Sequence, residues 1–131
     1  MKALLGAGAV FALLASGVMA KPPLKDVAEV REGLIVVGMA YEISKRCDDI
    51  DARLLRGISY LNQLKARARD LGYSEREIEA YTDDKAEKDR LEGIARARLS
   101  DLGAPRGDER GHCRVGEAQM AANTAVGQLL R

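Results

Sequence analysis

Residues 50–72 read IDARLLRGISYLNQLKARARDLG, and this stretch decides the fold class. Ile50, Leu54, Ile58, Leu61, Leu64, Ala68 and Leu71 recur every three or four positions, the spacing of one face of an α-helix. Asp48, Asp49 and Asp51 stand at its start, where negative charge suits the positive end of the helix dipole. Gly72 follows as a C-terminal cap. The spacing predicts a helix that opens at the aspartates and buries this face. The basic run from Lys65 to Arg69 reads as its solvated outer side.

Toward the N-terminus, Val27, Val30, Leu34, Val37 and Tyr41 repeat the same period and predict a helix to about Arg46. Asp26 with Glu29 three residues later has the form of a capping box at its start. Leu34 to Ala40 is apolar nearly all round, as in a segment buried on more than one side. Lys21-Pro22-Pro23-Leu24 reads as an extended lead-in, residues 21–25, because consecutive prolines fix φ and remove backbone donors.

Toward the C-terminus, Ser74 and Glu77 form a second capping box, opening a short helix through Ile78 and Tyr81. A further helix, with Ala86, Leu91, Ile94, Ala95 and Leu99 as apolar positions, runs to Leu102 and stops at Gly103 and Pro105. Ala104 to Gly111 has no period and reads as a loop. A last helix is expected from His112 to about Leu130, with Val115, Ala118, Ala122, Val126 and Leu129 along one stripe. No stretch alternates with period two, so the expectation is an all-α bundle of four or five helices over residues 26–131. Gly33, Gly38, Gly57, Gly93, Gly116 and Gly127 fall inside these helices, each costing roughly 1 kcal/mol relative to Ala, which close helix–helix approach would offset.

The first 20 residues read as an export signal. Met1-Lys2 gives a positive start, Ala3 to Gly17 is apolar or small, and Val18-Met19-Ala20 suits cleavage before Lys21. Retention as an anchor helix is the alternative, but about 16 apolar residues fall short of the roughly 20 that span a bilayer. No Cys follows the cleavage site, which disfavours a lipid anchor. The expected destination is the periplasm or the cell exterior, with no direct membrane span after cleavage.

The 131-residue chain would then leave 111 residues, and loss of Lys2 from 21 basic residues leaves 20 against 20 acidic ones. A formally neutral domain has no electrostatic claim on nucleic acid or anionic membrane. Twelve Leu, six Ile and six Val in the mature part predict a folded domain with a thin core.

Cys47 and Cys113 are the only cysteines, and an even count in an exported chain reads as a disulfide. It would tie the last helix to the hinge after the first, with on the order of 4 kcal/mol from loop closure. The rival reading makes Cys47 a nucleophile and His112, the only histidine, its base, but His112 adjoins Cys113 at the edge of a predicted loop with no third group to orient it. A zinc site from Cys47, His112 and Cys113 lacks a fourth ligand and the usual spacing. Asp48, Asp49 and Asp51, or Asp83, Asp84 and Glu87, lack the alternating ligands and turn glycine of a calcium loop and read as helix starts. Tyr41, Tyr60, Tyr73 and Tyr81 form no stacking platform for bases. No phosphate loop or nucleophile elbow is present. No catalytic, cofactor or metal site is expected.

Taken together, Lys21-Pro22-Pro23-Leu24 after a signal, Cys47, Leu71-Gly72-Tyr73-Ser74 leading to Glu77-Ile78-Glu79-Ala80-Tyr81, and Cys113 before Gly127-Gln128-Leu129-Leu130-Arg131 resemble a family of small exported alphaproteobacterial proteins of unknown function. The resemblance spans nearly all of the mature chain. It implies a helical domain with a paired cysteine and carries over no catalytic residue. Members carry an aromatic residue directly before the second cysteine, where this chain has His112. Genes of the family accompany those of the respiratory NADH–quinone oxidoreductase, which implies an accessory role near that membrane complex. The leading expectation is a non-enzymatic structural or interaction protein with an unidentified protein partner. The alternatives are that respiratory accessory factor, a small chaperone-like binder, and an enzyme.

Overall fold

The computed structural model describes residues 20–131. The expected signal, residues 1–20, lies outside the described residues except for Ala20. Six helices follow a short 3-10 turn at Leu24–Asp26: α1 Ala28–Arg46, α2 Leu54–Asp70, α3 Glu75–Thr82, α4 Lys85–Asp101, α5 Glu109–Ala121 and α6 Ala125–Gln128. The fold is all-α, as the helical periods predict; the one β feature among the described residues is an isolated antiparallel bridge, Ala52 to Leu130. There Asp51 and Arg131 exchange backbone hydrogen bonds of 2.8 and 2.9 Å, which pins the C-terminus against the turn before α2.

The all-round apolar character of Leu34 to Ala40 is explained by the position of α1, which packs against α2, α4, α5 and α6. The main core joins Ile35, Met39 and Ile43 of α1 to Leu91, Ala95 and Leu99 of α4, to Val115 of α5 and to Val126, Leu129 and Leu130 at the C-terminus. A smaller core of Leu24, Val30, Ala68, Tyr73 and Ile78 closes the other end, with Leu34 and Tyr81 packed against both. Close approach accounts for Gly116, where an added Cβ would stand 2.6 Å from Ile50 Cδ1, and for Gly127, where it would meet the Gln119 backbone carbonyl at 2.1 Å. Gly57 and Gly93 have open space around them and are not explained this way.

Several boundaries differ from the expectation. Asp26 caps nothing: it ends the 3-10 turn, and Val27, without a capping side chain, precedes α1. Residues 21–25 are more than a lead-in, because Leu24 is buried, Tyr73 donates its hydroxyl to the Pro22 carbonyl, and Lys21 reaches the Gly72 carbonyl at 2.8 Å. Helix α2 starts at Leu54, not at the aspartates, since Asp51 and Arg53 give their backbone donors to the C-terminal residues. The predicted last helix is two. Asn123 adopts a positive φ of 52°, and Thr124 accepts from the Gly127 amide to start α6 afresh.

Candidate functional site

Cys47 and Cys113 form a disulfide with a Cα–Cα separation of 5.1 Å, closing a loop over 66 positions. Cys47 ends α1 with no solvent exposure, and Cys113 lies in the second turn of α5. The bond uses both sulfurs, and no free cysteine remains among the described residues. Asp49 lies close enough to share a cluster with the two sulfurs, but a disulfide sulfur is a poor metal ligand because binding requires the thiolate.

His112 is not in a loop. It sits in the first turn of α5, 4% exposed, with Nδ1 2.6 Å from the Asp108 carbonyl. A carbonyl only accepts, so Nδ1 carries a hydrogen and donates it to Asp108. Asp108 also caps α5, its side chain accepting from the Gly111 amide. Placing His112 required the start of α5 three residues earlier than the apolar period suggests, and Asp108 was the available signal for it.

The residues that immediately precede the two cysteines, Arg46 and His112, line one cleft. Glu42 of α1, Arg96 and Ser100 of α4, and Arg106 of the following loop complete its polar wall around a cavity of about 280 Å³. Glu42 is 7% exposed, with Arg46 at 3.5 Å and Arg96 at 3.9 Å from its carboxylate. Neither the Glu42 oxygens nor His112 Nε2 has a hydrogen-bond partner among the described residues. The only fully buried side-chain nitrogen or oxygen lacking one there is Arg53 Nε, so these atoms are not sealed from solvent, and both residues line the cleft. Sequence reading missed this site because Glu42, Arg96 and Arg106 come from three separate elements with no spacing in common.

The second feature is the start of α2. Tyr60, Leu64 and Ala68 turn toward α1, where Glu29 and Arg67 join the two helices in an ion pair at 2.9 Å. Leu54 and Ile58, expected on the buried face, are 75% and 56% exposed, and Leu55 between them is 85% exposed. The apolar stripe of α2 is wider than the face α1 covers.

A family model, a family of unknown function designated DUF5333, matches residues 22–131. The chain belongs to DUF5333. No curated protein and no solved structure matches it. The DUF5333 match begins at Pro22, so it takes in the segment that docks on Tyr73 as well as the helices, the cleft and the disulfide.

Proposed function

We propose that the protein is an exported, non-enzymatic interaction protein that docks through the first two turns of α2 onto a second copy of itself. The observation that carries this reading is the exposed trio Leu54, Leu55 and Ile58. At those exposures the three side chains present on the order of 400 Å², the size of the largest apolar patch on a typical monomer, where function concentrates. Two such faces together supply about half of the roughly 1,600 Å² of a standard interface. The ends of the face differ in sign. Exposed Asp48, Asp49 and Asp51 precede it, exposed Lys65 lies two turns beyond it, and none of the four has an ion-pair partner among the described residues. An antiparallel two-fold copy sets acid opposite base at both ends, as an isologous interface requires.

Export is supported by the disulfide, which forms and persists in oxidising compartments. The non-enzymatic reading is supported by Cys47, whose sulfur is bonded and so is no nucleophile. Sedimentation of the mature chain tests the docking. The expected result is a concentration-dependent dimer that Leu55→Glu converts to monomer without loss of helicity. A concentration-independent monomer overturns self-association.

A further inference from the structure

We propose that the cleft between α1, α4 and α5 binds a small molecule through an oxyanion, a carboxylate or phosphate group, gripped by Arg46, Arg96 and Arg106. A guanidinium offers a fixed fork of donors that matches two oxygens of such a group. Three of them line this cavity. The counter-charge inside it is Glu42, and the match is poor: 3.5 Å to Arg46 and 3.9 Å to Arg96 exceed the roughly 2.7–2.9 Å of charge-assisted hydrogen bonds. Glu92 stands 3.9 Å from Arg96 as well, while Arg106 has no carboxylate within 4.0 Å among the described residues. Positive charge and unused donors are therefore concentrated here, in a domain that is otherwise balanced in charge.

Burial separates this cleft from an ordinary basic surface. Glu42 and His112 are more than nine-tenths buried, and both line the cavity. Glu42 is only loosely paired at these distances, and a ligand hydroxyl or ammonium would give its carboxylate the short hydrogen bond it lacks. The preferred ligand thus carries an anionic group at one end and a hydrogen-bond donor at the other. A volume of about 280 Å³ lies just under the usual range for small-molecule sites, so the ligand is small. Glu42 also competes for the same guanidiniums and acts as a built-in rival to the incoming anion. This site is independent of the α2 face.

Calorimetric titration of the mature, oxidised protein at low ionic strength tests the assignment, with inorganic phosphate and succinate as separate probes and chloride as the control. The expected result is saturable one-to-one binding of at least one probe. Binding of phosphate alone names a phosphate ligand, and binding of succinate alone names a carboxylate. Arg96→Gln and Arg106→Ala each weaken it about tenfold, the loss expected for one charge-assisted hydrogen bond. Glu42→Gln strengthens it, because the rival carboxylate is gone. The exposed Arg106→Ala variant keeps the parent melting temperature, so its loss of binding is not a loss of fold. No binding of either probe up to about 10 mM, or affinities that Arg106→Ala and Glu42→Gln leave unchanged, overturns the proposal.

Discussion

Arg98 of α4 holds Glu32 of α1 with two hydrogen bonds, 2.6 and 3.0 Å long, across 66 positions of sequence. The fork-to-fork geometry joins the two helices that build the main core. The Arg98 guanidinium, above all through these hydrogen bonds, lowers the pKa of Glu32 below its ordinary 4.5. A carboxylate lowered in this way contributes stability that is present above pH 4.5 and lost as pH falls through its folded-state value. Both side chains are more than 40% exposed, so solvent screening limits the pair to about 0.5 kcal/mol. Arg98→Met should therefore cost about that much at pH 7 and nothing at a pH where Glu32 is protonated in both states. Urea denaturation of the two proteins at both pH values checks it.

Tyr81 predicts behaviour at the alkaline end. Burial between the two cores, reinforced by the nearby Glu87 carboxylate, pushes its phenol from an ordinary 10 up to about 12. The unfolded chain loses this proton near pH 10 while the folded one keeps it. Stability from Tyr81 is thus complete below pH 10 and is lost between pH 10 and about 12. Ultraviolet titration of tyrosinate should show a class that ionises late, and Tyr81→Phe should flatten the fall in stability. An unchanged profile in that variant would assign the fall to Tyr60, whose pKa burial also raises.

The two capping boxes written in the sequence separate cleanly. Ser74 accepts from the Glu77 amide at 3.2 Å while the Glu77 carboxylate accepts from the Ser74 amide at 2.7 Å. Asp26 has no such bond. Ser74→Ala should lower stability by about 1 kcal/mol, and Asp26→Ala should leave the denaturation midpoint in place. An unchanged midpoint in Ser74→Ala would mean that the cap contributes nothing of its own.

The contrast marks what the sequence could reveal. Ser74 and Glu77 satisfy each other locally, and Leu91, Ala95 and Leu99 of α4 share one face whatever they pack on, so both were legible. Asp26 met the same local rule, but Pro22, Pro23 and Leu24 dock on Tyr73 and draw the backbone into a 3-10 turn first. The helical period places Leu54 and Ile58 on the buried face, but α2 carries two adjoining apolar stripes, and only its ion pair and packing with α1 choose between them. The break between α5 and α6 lay among small residues with little periodic contrast. Asn123-Thr124, a left-handed residue followed by a helix cap, was its one visible sign. For the candidate site, the even cysteine count makes the pairing legible, whereas the cleft beside it exists only once α1, α4 and α5 are packed.

The disulfide carries the last prediction. The native protein should show no free thiol by mass spectrometry until a reductant is added, since Cys47 and Cys113 are both bonded and Cys47 is fully buried. Reduction, or joint replacement of both cysteines by serine, should cost roughly 2–5 kcal/mol, chiefly by returning to the unfolded chain the freedom of the loop between them. The loss should not be uniform. Helix α5 holds to α1 by this bond, by the fit of Gly116 against Ile43 and Ile50, and by Val115, whereas α4 is fixed by Leu91, Ala95 and Leu99 without it. Amide exchange should therefore quicken first in α5, where few large side chains are buried, and last in α1 and α4. Equal acceleration in all helices would show that the bond stabilises the domain as one unit.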